Sequence, residues 1–382
     1  MKPFFLLSLL MLTLSGFSQN IMLGRTTGPL PYLEYGVGDD RLGGAKMTYL
    51  DTNILMKVVD STKDDFKVQL SAQHIAYLPK VNFRKDDSAI IQANYLTASW
   101  RVFGDEKYDY VTVSLPEKLP YKSMQLLAPS RIVVDIFGAV SNTNWITQLK
   151  TVKEVTNVWH EQIEDDVFRV FIELKHKQHW GYAIFYKNNT LTIQVKRQPS
   201  KKIKQLTIAI DAGHGGVNTG ATGLNTKILE KDYTLMIAKE LQKYFKRKHV
   251  NSFMTREEDV DISMIDRAIL LREADPDVLI SIHLNSSSNK NAKGVSTYYR
   301  YAGFRPLSQS ILNSMLKLDL NNFGNIGSFN FSLSGPTEYP NCLVEVAFLS
   351  NADDEQKIIN KKFQKEVAKK IYKGINEWLK NL

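Results

Sequence analysis

Two histidines and two glutamates in the second half of the chain have the types and surroundings that hydrolytic chemistry needs. His214 follows a short apolar run in Ile210-Asp-Ala-Gly-His-Gly-Gly, and His283 follows another in Ser281-Ile-His-Leu-Asn. Glu230 opens a stretch of helical periodicity, and Glu345 lies within or at the end of the apolar run Leu343-Val-Glu-Val. Two imidazoles and a carboxylate make a three-ligand zinc site with a fourth position left for water, and a second carboxylate is the proton carrier such a site requires. Each piece also has a plainer reading. A single histidine beside a strand is more often a hydrogen-bonded structural residue, the glycines around His214 could only shape a turn, and Glu230 could only favour a helix N-terminus through the dipole. A phosphate cradle is the weaker alternative for the glycines, because no Lys-Ser/Thr follows them and Glu230 would repel the anion.

The elements around these residues predict where they meet. Leu206 to Ile210, Asn251-Ser-Phe-Met, Val278-Leu-Ile-Ser-Ile, Val295-Ser-Thr-Tyr-Tyr and Leu343-Val-Glu-Val read as strands. Between them run helical patterns from Glu230 to about Lys248, from a capping box at Ser263-Met-Ile-Asp266, from about Pro306, and from about Asp353 to the end. Alternation of this kind predicts a mostly parallel sheet flanked by helices, with a site outside the carboxyl ends of its strands. Both histidines then fall on one edge.

The order of the motifs carries more than any one of them. Ile210-Asp-Ala-Gly-His-Gly-Gly, Gly220-Ala-Thr-Gly, Leu229-Glu-Lys-Asp-Tyr, Thr255-Arg with Asp259, Ser281-Ile-His-Leu-Asn, Gly294-Val-Ser-Thr-Tyr-Tyr and Val344-Glu-Val-Ala-Phe-Leu-Ser-Asn follow one another over residues 205–382. This region resembles the zinc-dependent N-acetylmuramoyl-L-alanine amidases of the amidase_3 family. The resemblance implies one Zn2+ per catalytic domain, held by His214, Glu230 and His283, with Glu345 catalytic. It implies hydrolysis of the amide between N-acetylmuramic acid and L-alanine in peptidoglycan, in cell-wall remodelling or daughter-cell separation. Asp211 or Asn285 could orient a ligand through its second nitrogen or serve a structural role. Arg256 and Arg267 match arginines of the family pattern and could bind stem-peptide carboxylates or form buried salt bridges with a neighbour such as Asp259. Family members that act in cell division often insert a helix after the Gly-Val-Ser-Thr-Tyr-Tyr strand that plugs the zinc. Here only Arg300-Tyr-Ala-Gly-Phe-Arg precedes the next helix, so an open site is expected.

The first half lacks a comparable set of His and Glu. Residues 22–86 read as a small β module that faintly resembles a bacterial SH3-like barrel. Residues 88–197 read as a second β domain whose strands alternate apolar and polar residues, as sheets with one wet face do. Its Pro129-Ser-Arg-Ile-Val-Val-Asp and Phe168-Arg-Val-Phe-Ile-Glu-Leu segments resemble an AMIN domain, an envelope-targeting module. The polar, basic stretch 198–204 reads as a linker. The whole is thus expected to be multidomain, with two β-rich modules ahead of an α/β domain.

Lys2, the apolar run Phe4–Leu14 and Gly16-Phe17-Ser18 predict a signal peptide over residues 1–18. Export to the periplasm or cell envelope follows, with no membrane span once it is removed. The formal charge of +9 falls to +8 without Lys2, which suits anionic envelope polymers, while export disfavours nucleic acid. An envelope activator protein is a compatible partner. The only cysteine, Cys342, excludes an intramolecular disulfide and reads as a buried thiol. Two rival readings are a zinc peptidase cutting within the stem and a non-catalytic wall-binding protein. Retention of all three ligands and of Glu345 argues against the second.

Overall fold

The computed structural model describes residues 21–38 and 44–382; the expected signal peptide lies outside them. Strands between Met22 and Lys85 form a seven-stranded antiparallel sheet. Strands between Trp100 and Lys196 form two further sheets, of five and four strands, whose inner faces meet. Alternation dictates this packing: along Tyr108–Ser114 every second residue is buried, and Val111 and Val113 face Ile132, Val134 and Val170 across one core. That core does not stop at the module boundary. Leu33, Val58 and Leu78 of the first sheet belong to the same buried cluster as Trp100, Phe137 and Ile193. The two β modules therefore share one core.

The C-terminal domain is a six-stranded sheet. We label its strands β1 (Thr207–Ala212), β2 (Asn251–Met254), β3 (Val278–Asn285), β4 (Val295–Tyr298), β5 (Asn322–Ile326) and β6 (Asn341–Phe348). The helices are α1 (Glu230–Arg247), α2 (Met264–Ala274), α3 (Arg305–Met315), α4 (Ala352–Ile359) and α5 (Lys361–Lys380). The order is β2-β1-β3-β6-β4-β5, parallel throughout except where β4 runs against β6. Ile208, Ile210, Ile280, Ile282, Val344 and Val346 point into a core closed by α1, α3, α4 and α5. Leu279 lies on the opposite face with Leu271 of α2, Leu333 and Leu30, so the N-terminal module completes that second layer. Cys342 is buried in β6, and burial raises its thiol pKa.

Three expectations shift. β3 continues through His283 to Asn285 instead of ending before the histidine. β5 had no periodic apolar signal in Asn322-Phe-Gly-Asn-Ile and was not expected. The terminal helix is two helices, because Asn360 caps the second through its side chain.

The stretch expected to be a linker is anchored at both ends. Arg197 is buried against Asp109 at 2.7 Å, and Ile203 enters the C-terminal core. Around it the halves are clasped. Lys196 pairs with Asp275 at 2.7 Å, Tyr182 N donates to Thr337 O at 2.8 Å, and Trp180 packs on Trp378 with ring centroids 5.0 Å apart. Among the described residues no helix is long and apolar enough to cross a membrane.

Candidate metal centre

β1 delivers the chain to a turn in which His214 adopts φ 61°, followed by Gly215 and Gly216 at positive φ. A β-carbon at Gly213 would stand 2.4 Å from the His283 ring, and one at Gly220 would stand 2.5 Å from Glu230 Oε2. Glycine is thus required at both places for the backbone to approach the site. Glu230, the first residue of α1, is buried and points its carboxylate at both imidazoles. Its Oε1 lies 3.1 Å from His214 Nε2 and 3.1 Å from His283 Nδ1, and it also accepts from Leu284 N at 3.0 Å. Its Oε2 accepts from Ala221 N at 2.8 Å.

Burial pushes the Glu230 carboxyl up, but its hydrogen bonds and charge attraction to the two histidines outweigh this and hold it far below the usual carboxylate range. His214 is displaced the other way: burial lowers its pKa, and Glu230 more than compensates.

Glu345 enters through register. In the parallel pair β3–β6, His283 and Glu345 are direct partners, and neighbours in register project to the same face of a sheet. Glu345 is 7% exposed and is also paired with Ser296 of β4. The chain thereby collects His214, Glu230, His283 and Glu345 at the carboxyl edge of β1, β3 and β6.

The donor set fits a zinc ion. One atom from each of His214, Glu230 and His283 lies within 4.8 Å of the others. Two of the three separations are 3.1 Å, close to the edge of about 3.3 Å in a tetrahedron with arms of about 2.0–2.1 Å. His214 Nδ1 lies 2.8 Å from Asn218 Oδ1, so its proton sits there and Nε2 keeps its lone pair for the site. Asn218, four residues on from His214, was missed in the sequence. The need of a ligating histidine for an outer partner was the signal that could have found it.

Asp211, Arg267, Arg256 and Asn285 are each engaged by partners within the domain. Asp211 is buried and bonded to Thr255 Oγ1 at 2.6 Å and to Arg267 at 2.7 Å. Burial raises its pKa, but the Arg267 charge and these bonds lower it further. Arg267 also donates to the carbonyls of Ala212 (2.7 Å) and His214 (2.6 Å). Arg256 donates to the carbonyls of Ala212 and Gly213, both at 2.9 Å, and to that of Lys231 at 2.7 Å. The two guanidiniums, 2% and 1% exposed, are spent on the His214 turn, and Arg267 makes a buried salt bridge, with Asp211. The expected partner of Arg256, Asp259, instead takes Lys231 at 2.6 Å. Asn285 Oδ1 accepts from Ser286 N at 2.8 Å.

Opposite the metal turn stands an aromatic wall absent from the sequence expectations. Phe331 stacks on His283 at 6.1 Å between centroids, and Phe329 packs on Tyr298 at 4.9 Å. As the spacing after β4 predicts, Tyr298 leads to α3 through one short turn, Ala302–Phe304, with no longer helix inserted between β4 and α3.

Residues 208–377 match the Amidase_3 family, described as N-acetylmuramoyl-L-alanine amidase, and residues 101–195 match the AMIN domain. The chain belongs to this amidase family, with an AMIN domain ahead of the catalytic domain. It is 32% identical over 180 residues to the probable cell wall amidase LytH of Staphylococcus epidermidis, covering 47% of this chain and 60% of that protein. To the LytH of Staphylococcus aureus it is 32% identical over 199 residues, covering 51% and 66%. It thus spans about three fifths of the length of the curated relatives it matches. A solved N-acetylmuramoyl-L-alanine amidase from Clostridium difficile 630 is 35% identical, with 46% of this chain and 97% of that one covered and a TM-score of 0.44.

Proposed function

We propose that the chain hydrolyses the amide between N-acetylmuramic acid and L-alanine in peptidoglycan, after export to the periplasm or envelope, in wall remodelling or daughter-cell separation. The observation that carries this reading is the register of β3 and β6, which sets a buried Glu345 beside His283 on the face that also receives His214 and Glu230. His214, Glu230 and His283 would hold one zinc ion. When bound, the ion supplies a Lewis acid for the scissile carbonyl and lowers the pKa of water there to about 7.

The protein's own share of the reaction is proton movement. Glu345 takes a proton from water as the oxygen adds to the acyl carbon. It then passes that proton to the nitrogen as the carbon–nitrogen bond breaks, because an unprotonated amine is a poor leaving group. The products are the glycan carboxylate and a stem peptide with a free L-alanine amino terminus.

The N-terminal β modules serve wall binding in this reading, since their outer faces offer wet sheets and no comparable His and Glu cluster is found among the described residues. Digestion of whole peptidoglycan followed by mass analysis tests the proposal. Free stem peptides beginning with L-alanine are expected, whereas cuts within the stem would make the chain a peptidase.

A further inference from the structure

Phe329 and Phe331 form one wall of the metal site, yet what holds them comes largely from the other end of the chain. Between them, Asn330 turns away from the site. Its Oδ1 accepts from the backbone N–H of Lys46 at 3.2 Å and from Arg300 Nη1 at 3.3 Å, and its Nδ2 donates to the carbonyl of Gly44 at 2.8 Å. One residue beyond Phe331, the carbonyl of Ser332 accepts from the Tyr49 hydroxyl at 3.2 Å. Gly44 precedes, and Lys46 and Tyr49 belong to, the edge strand Lys46–Tyr49 of the first sheet. An edge strand has backbone groups that its own sheet leaves unused, and here one N–H goes to Asn330.

Around Asn330 the loop pairs with no strand; within its own domain its rings pack on each other and on Tyr298, and Leu333 is buried just beyond it. Ser328 sits at φ 56°, Gly327 and Ser328 are exposed, and the aromatic residues on either side of Asn330 are half-buried. Beyond that packing, three hydrogen bonds to the first module anchor Asn330 and Ser332, on either side of Phe331.

We propose that Asn330 is a positioning residue through which the first β module fixes the aromatic wall of the site, so that substrate binding depends on a module about 280 residues upstream. The proposal rests on the amidase reading for its kinetic consequence, but its structural part stands apart from it. A role in binding is expected because Asn330 and Tyr49 hold the wall and touch neither Glu345 nor the metal ligands in any contact described above.

The test uses the full chain with zinc and a soluble N-acetylmuramoyl tripeptide, so that wall targeting plays no part. Asn330→Ala should raise KM roughly 10-fold, the scale of one or two lost hydrogen bonds, with kcat within about threefold. Tyr49→Phe, a change confined to the first module, should raise KM about threefold. Asn330→Asp keeps the acceptor for the Lys46 N–H and for Arg300 and should recover part of the loss. Amide hydrogen exchange over residues 327–335 should quicken in Asn330→Ala, with zinc content unchanged.

Wild-type KM in both Asn330→Ala and Tyr49→Phe would overturn the proposal. If the wild-type protein does not turn over the tripeptide, the amidase reading fails. Exchange then decides the positioning role alone: faster exchange at 327–335 in Asn330→Ala sustains it, and unchanged exchange overturns it.

Discussion

The two walls of the site are held in opposite ways. The metal turn is braced from within its own domain: Arg256 and Arg267, both buried, donate to the carbonyls of residues 212–214, and Asp211 pairs with Arg267 at 2.7 Å. The aromatic wall is braced from another module, by Gly44, Lys46 and Tyr49. Charged, desolvated bonds hold the turn that carries His214, and mostly neutral, partly buried bonds hold the aromatic wall.

Substitutions on the metal side should give the larger effects. Glu345→Gln removes the proton carrier while keeping its shape, so turnover should fall by roughly 100-fold or more with zinc near one per chain. His214→Ala should instead lose the metal and, with it, the stability that binding confers on the native state, lowering the melting temperature. Metal content measured against activity separates the two, and loss of zinc from Glu345→Gln would undo the division of roles.

Arg267→Met tests the brace itself. It strands the Asp211 carboxylate in the interior, and breaking a buried pair from one side costs about 3–5 kcal/mol. Denaturant unfolding should show the loss, and zinc affinity should drop because the His214 carbonyl is freed. Asn218→Ala is milder, removing the partner of His214 Nδ1 and a longer bond from Gly220 N. Zinc affinity should fall by roughly 10–100-fold, with unfolding in the metal-free state little changed.

The smallest expected effect concerns the clasp between the halves. Burial raises the Asp275 pKa, but Lys196 and the hydrogen bonds around it lower it below the ordinary 3.8. A depressed carboxylate contributes stability above its unfolded value and loses it as pH falls through the folded one. Asp275→Asn should therefore lower the melting temperature at neutral pH and flatten its decline below about pH 4. Equal slopes for the two proteins would show that the clasp is electrostatically idle.

How far the sequence foretold the molecule follows the range of the forces involved. Strands and helices from Thr207 onward were legible because periodicity is local, and His214, Glu230, His283 and Glu345 stood out because each follows, opens or interrupts a periodic apolar run. β5 was hidden, since Asn322 and Asn325 break the apolar pattern at an edge that needs only one buried face. Arg256 and Arg267 could be noticed but not assigned, because they donate mainly to backbone carbonyls that no motif reveals, and Asn218, the partner of the His214 ring, was missed. The Asn330 contacts were beyond reach, joining residues 284 and 286 positions apart.

The core shared by the first two modules bears on the order in which the chain can fold. The first sheet, though synthesised early, is tied to residues that come much later: Arg25 to Glu117, Ala72 to Asp166 and His74 to Glu164 are joined across 92, 94 and 90 positions. Its apolar face is covered only when strands as far along as Thr190–Lys196 are in place. Loop-closure entropy must be met before these contacts return anything, which slows folding and prolongs exposure of apolar surface. A ribosome or translocation pore releasing this chain from its N-terminus would hold a sticky, half-built sheet until about half of the polypeptide had emerged, a natural point for a chaperone to act.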